Sequence, residues 1–208
     1  KKDVLYSFMS HDNINWRNLI YRIVVKLIAK VTNRQDFKKS HLPVVLIADD
    51  SDLPKTGMRM ESSGKICSHV HQKCILGYKA RMLCWSDGRT QFMLDSSLHG
   101  EKGKVEGKEQ GLSAKQRQNR YNRKRDENSH VAKRKEEYFM SKGKKLIEMV
   151  RRAIKAKIPF EYLLVDSWFT CADLIRFITS RHLECHLIGM LKMGKTRYRT
   201  EAGNRILL

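Results

Sequence analysis

The stretch that most constrains this chain is VVLIADDSDLPKTG, residues 44–57. A continuous β-branched and apolar run without polar alternation predicts a strand buried on both faces, as at the centre of an α/β sheet. It gives way to the acidic residues Asp49, Asp50 and Asp52 and then to a Pro-Lys-Thr-Gly turn. A second such run, FEYLLVD (160–166), ends on Asp166. A helical ADLIRFITSRH (172–182) and a strand-like CHLIGML (185–191) follow it. Between the two acidic runs lie the strand-like segments CILGYKARMLCWS (74–86) and RTQFMLDSSL (89–98). The Asp87-Gly88 pair joining them predicts a two-residue hairpin turn, since both residues accept positive φ. A helical pattern begins near Val131 and strengthens through KKLIEMVRRAIKAKI (144–158). Strand, hairpin, helix, strand, helix, strand describes a mixed α/β sheet whose parallel members are joined by helices.

Ahead of this pattern, residues 14–31 carry Leu19, Ile20, Ile23, Val24, Leu27, Ile28 and Val31 at helical spacing. They predict an amphipathic helix packed on the rest of the protein, within an N-terminal helical region 1–40. The core region is then 41–208. No apolar run approaches the roughly 20 residues a membrane-spanning helix needs, and the first residues lack a secretory pattern. The five cysteines are odd in number and sit mostly in apolar stretches, as thiols do in a reducing cytoplasm.

With 41% hydrophobic residues the chain can bury a core, yet its formal net charge is +20. Self-repulsion of that size disfavours a compact state and points to a polyanionic partner, nucleic acid first. Much of the charge sits in a polar insertion at 101–143, with Lys102, Lys104, Arg117, Arg120, Arg123, Lys124 and Arg125 among its cations. Such density suits phosphate contacts and counterion release, which carry no base sequence information. The alternative is a solvated, partly helical loop.

Asp50 and Asp166 end the two most apolar runs. Ligands of open α/β sheets bind beyond the carboxyl ends of the strands, so two carboxylates there would share a crevice. Such a pair calls for a cation, and Mg²⁺ or Mn²⁺ accepts hard oxygen donors while keeping positions open for water and phosphate. Two divalent ions about 4 Å apart serve an in-line phosphoryl displacement. Asp49 and Asp52 compete with Asp50 for this role, and Asp166 could equally serve as a turn former or helix cap. Cys67, His69, His71 and Cys74 form a Cys-x-His-x-His-x-x-Cys cluster, but no second ligand pair completes a zinc site.

The segments IADDSDLPKTG, LGYKARMLCWSDGRTQFMLDSSLHGEKGK, YLLVDSWFTCADLIRFI and HLIGMLKMGKTRYR together resemble the DDE-type transposases of bacterial insertion sequences. The resemblance runs in order through most of residues 41–200. It implies a ribonuclease-H-like core with an antiparallel hairpin, flanking helices and a basic helical insertion. It assigns Asp50 and Asp166 as catalytic metal ligands for Mg²⁺ or Mn²⁺. It further implies metal-dependent cleavage and strand transfer on double-stranded DNA, at insertion-sequence ends and a target. Lys55 would join the insertion in holding phosphates. A homodimer in the bacterial cytoplasm, associated with the nucleoid and not with a membrane, completes the expectation.

The family's third carboxylate belongs to a Tyr-x-x-Arg-x-x-x-Glu pattern that this sequence does not contain. Tyr198, Arg199 and Glu201 have other spacing. The expectation is a fragment or degenerate copy that binds DNA without cutting it at an appreciable rate. The rival readings are a different ribonuclease-H-like nuclease and a non-catalytic DNA-binding remnant.

Overall fold

A computed structural model describes residues 2–34, 37, 42–180, 183–192, 197–199 and 202–207. The chain order is α1 (Lys2–Met9), α2 (Trp16–Thr32), β1 (Val45–Pro54), β2 (Gly64–Ser68), β3 (Lys73–Ser86) and β4 (Gln91–His99). Next come α3 (Ala114–Gln118), α4 (His130–Glu136), α5 (Lys142–Lys155), β5 (Tyr162–Val165), α6 (Ala172–Ser180) and β6 (His186–Gly189). A small antiparallel pair, β7 (Arg197–Arg199) and β8 (Arg205–Leu207), ends the described chain.

Six strands form one sheet in the order β2-β3-β1-β5-β6, with β4 also paired to β3. β5 is parallel to both neighbours, from Val45↔Tyr162 to Ala48↔Val165 on one side and from Tyr162↔His186 to Val165↔Gly189 on the other. β2 runs antiparallel to β3. This is the expected mixed α/β architecture, consistent with a ribonuclease-H-like fold.

Two compact units share these strands. One comprises Ile23–Asp49, Met82–Asp95 and Ser141–Leu208. Its core contains Leu46, Leu83, Trp85, Leu94 and Leu163, all fully buried. Removing a leucine side chain of this kind from water contributes about 1.5–3 kcal/mol. α5 adds Leu146, Ile147, Met149, Val150 and Ala153, a stripe at helical spacing that turns its apolar face inward. Ser141 starts that helix by accepting the Lys144 amide. Two polar groups carried inward are paired: Trp85 Nε1 donates to Pro159 O at 2.9 Å, and Arg152 Nε to the buried Asp95 carboxylate at 2.7 Å.

The other unit comprises Lys1–Arg22, Asp50–Arg81 and Ser96–Met140. Tyr21, Ile66, Tyr78, Ala80, Leu112 and Tyr138 are buried in it, and ion pairs add to them. Arg17 binds both Glu137 oxygens, at 2.8 and 2.7 Å. Arg125 joins Asp12 at 3.1 Å to Glu61 at 2.6 Å. Gly100 lies where a Cβ would overlap the Tyr138 ring, so close packing at that point requires glycine.

Four expectations change. The hairpin turn is shifted by one residue: Gly88 alone has positive φ, at 83°, while Asp87 Oδ1 accepts the Arg89 and Thr90 amides. Asp87 therefore acts as a side-chain acceptor beside the turn. β2 was not expected, because its alternation places a single large apolar residue, Ile66, on the buried face. The continuous helix expected from Val131 breaks at Met140, whose extended backbone lets Ser141 cap a new helix. β1 runs on to Pro54, so Asp50 lies within the strand, beyond the last register pair with β5. The expected boundary between residues 40 and 41 falls outside the described residues.

Candidate active site

Each candidate residue is placed by its own element. Along β1, Asp50 and Asp52 continue the face that buries Leu46 and Ala48, whereas Asp49 lies on the opposite face and is exposed. Alternation thus separates Asp49 from the other two, each of which has a buried cation nearby. Lys79 Nζ lies 3.6 Å from Asp52 Oδ1, with both side chains largely buried. Arg81, also on β3, is 1% exposed and donates to Met140 O at 2.8 Å, with His99 Nδ1 as a further contact. Burial pushes its guanidinium down to about 10, opposed by the negative charges of Asp50 and Glu137. Asp50 therefore sits in the field of a buried arginine. Lys79 and Arg81 escaped the sequence reading, although two cations two residues apart in an apolar strand share a face.

Asp166 follows β5 directly. Its Oδ1 accepts the amides of Trp168 at 2.9 Å and Phe169 at 3.1 Å, and its carbonyl accepts Thr170 N and Oγ1. The turn-forming role considered for Asp166 is present, then, but it occupies one carboxylate oxygen. Oδ2 makes no hydrogen bond among the described residues and remains able to bind a cation. Trp168 is exposed, with Lys192 Nζ 4.2 Å and Lys142 Nζ 5.4 Å from its ring centre.

Carboxylate oxygens at Asp50 and Asp166 have the hard donor chemistry that a divalent cation such as Mg²⁺ takes. Among the described residues, no group of three or more His, Cys, Asp or Glu is placed to hold a metal ion. Glu184 is exposed ahead of β6, and Glu201 lies outside the described residues. Cys67 and Cys74 are directly paired across β2 and β3, with sulfurs 3.6 Å apart. The hydrogen bond shared with Cys74, followed by the charge of Glu101, pushes the Cys67 thiol up to about 11.

The basic candidates divide into two kinds. Lys102, Lys104, Arg123 and Lys124 are exposed. Arg117 donates to the Gly107 and Leu112 carbonyls and pairs with Glu109. Arg120 donates to Ser63 O at 2.8 Å and binds Gln110, and Arg125 carries the Asp12 and Glu61 contacts. Arg117 thus binds within the insertion, while Arg120 and Arg125 tie it to Ser63, Asp12 and Glu61. Lys55 is half-buried, with its amide bonded to Leu76 O at 2.8 Å. A cavity of about 540 Å³ lined by Lys102, Arg117, Arg120, Tyr121, Lys135 and Phe139, among others, lies in this same unit. No helix among the described residues is long and apolar enough to cross a membrane.

No curated protein and no solved structure matches the chain. A family of proteins does: the DDE superfamily endonuclease family matches residues 1–202. That match spans almost the whole sequence and both candidate aspartates, and the chain belongs to the DDE superfamily endonucleases, enzymes of the nuclease and transposase type that act on DNA.

Proposed function

We propose that this chain is the catalytic region of an insertion-sequence transposase, with Asp50 and Asp166 as ligands of Mg²⁺. The observation that carries the reading is the parallel pairing of β1 with β5, from Val45↔Tyr162 to Ala48↔Val165. Asp166 follows the last residue of that register, and Asp50 lies two residues beyond it on β1. A divalent cation held by these two carboxylates would supply Lewis acidity for the scissile phosphate and for an attacking water or 3′-hydroxyl.

The protein's own residues prepare that chemistry. Asp166 is immobilised by the two amides on Oδ1, so Oδ2 is offered in a fixed direction. Lys79 balances Asp52, and Asp50 lies in the field of the buried Arg81. Residues 101–143 form the DNA-contacting insertion, with Lys102, Lys104, Arg123 and Lys124 reaching phosphates. Arg117, Arg120 and Arg125 shape the segment that presents them.

The test uses DNA carrying the sequences that flank the gene, with Mg²⁺ or Mn²⁺, and scores nicking and strand transfer. Products at those ends that vanish with Asp50→Asn and with Asp166→Asn support the ligand assignment and overturn the expectation that the chain does not cut. Products that survive either substitution contradict the ligand assignment. Nicking without preference for the flanking sequences points to a general nuclease of the same fold.

A further inference from the structure

The turn after β5 carries two aromatic residues with opposite fates. Phe169 is 1% exposed and packs into the core, whereas Trp168 is 49% exposed. The Trp168 backbone is nonetheless fixed, because its amide donates to Asp166 Oδ1 and the following turn closes on the Asp166 carbonyl. Two ammonium groups from distant segments converge on the indole. Lys142 opens α5, and its Nζ lies 5.4 Å from the Trp168 ring and 5.5 Å from that of Phe169. Lys192 follows β6, and its Nζ lies 4.2 Å from the Trp168 ring. Close packing of the two elements fixes the first contact: a Cβ on Gly143 would meet Cys171 Sγ at 2.7 Å.

A rigid aromatic face with flanking cations is how single-stranded nucleic acid is held, the base stacking on the ring and the phosphates meeting Lys or Arg. Within a duplex both faces of every base pair are covered by its neighbours, so an indole can stack only on a base that has left the helix. Lysine stems are flexible, and an ammonium over a solvent-exposed ring is held only weakly, so base stacking can displace it towards a phosphate.

We propose that Trp168, with Lys142 and Lys192, is a stacking platform for an unpaired base at the end of the DNA substrate, beside Asp166. This rests on the reading of the chain as an enzyme acting on DNA ends. Lys142 and Lys192 bind the phosphates flanking that base. Trp168 thereby favours DNA whose terminal nucleotides are unpaired over a blunt duplex.

The experiment compares a blunt duplex with the same duplex bearing a few unpaired terminal nucleotides, without divalent ions. Affinity is read from the anisotropy of labelled DNA, and stacking from tryptophan emission. The chain has three tryptophans; Trp85 is fully buried, and with the half-buried Trp16 replaced by Phe in every variant, quenching on binding reports chiefly on Trp168. The unpaired end is expected to bind on the order of tenfold more tightly and to quench the emission. Trp168→Ala should abolish the preference and leave blunt-duplex affinity unchanged. Trp168→Phe should retain most of the preference while losing the quenching. A preference that persists in Trp168→Ala, or quenching that persists in Trp168→Phe, overturns the platform. Blunt binding with no end preference in the unsubstituted chain overturns it alone, whereas binding to neither DNA overturns the DNA-end reading as well.

Discussion

Asp166 accepts the backbone N–H of Trp168 at 2.9 Å through Oδ1, so the carboxylate proposed as a metal ligand also clamps the turn that follows β5. The two roles separate by substitution. Asparagine keeps an Oδ1 acceptor, whereas alanine removes it. Asp166→Asn should therefore melt close to the unsubstituted chain. Asp166→Ala should lose about 1 kcal/mol, or roughly 2–4 °C in Tm for a chain of this size, by analogy with the removal of helix caps. Thermal unfolding by circular dichroism checks this, and an equal loss in both variants would refute the clamp.

A second expectation separates cations that reach outward from those that hold the insertion together. Replacing Lys102, Lys104 and Lys124 together by alanine should flatten the salt dependence of DNA affinity by a slope of about 2–3, near 0.9 for each phosphate no longer neutralised. The melting temperature of that variant should barely change. Arg125→Ala should do the reverse, because Arg125 links Asp12 to Glu61. Titrations over a range of salt, paired with melting curves, distinguish the two classes.

The third concerns acid. Burial pushes the Glu61 carboxyl up, but hydrogen bonds from Arg125 and Lys135 and their charges outweigh it and hold the group below its ordinary range. A carboxyl depressed in the folded state stabilises the protein above its unfolded pKa, near 4.3, and that contribution disappears as pH falls through the lower folded value. Unfolding measured between about pH 5 and pH 3 should therefore show a steeper loss of stability in the unsubstituted chain than in Glu61→Gln. Parallel curves would show that the Arg125 and Lys135 contacts do not favour the ionised form.

Long, strongly patterned segments were legible in the sequence. β1, β5 and α5 stand where apolar runs or helical stripes predict them, and the mixed sheet follows from their order. The misses are features set by single residues or by tertiary contact. β2 has one large apolar residue on its buried face, too little for a period-two signal. The turn at Gly88 depends on which of two adjacent residues takes positive φ, and the dipeptide alone does not decide it. That Asp49 lies on the other face of β1 and that Lys79 lies beside Asp52 are set by the sheet and are not legible in the run of acidic residues. The Lys142, Trp168 and Lys192 cluster joins three segments that only the folded chain brings together.

The central claim is that Asp50 and Asp166 serve one divalent-cation centre. Mn²⁺ binding to the chain, followed by electron paramagnetic resonance without DNA, tests it most directly, since Mn²⁺ takes the same oxygen donors as Mg²⁺. The account predicts that Asp50→Asn and Asp166→Asn each remove the same bound-Mn²⁺ signal, while Asp49→Asn leaves it intact. A signal that persists in either of the first two variants, or that disappears only with Asp49→Asn, would contradict it.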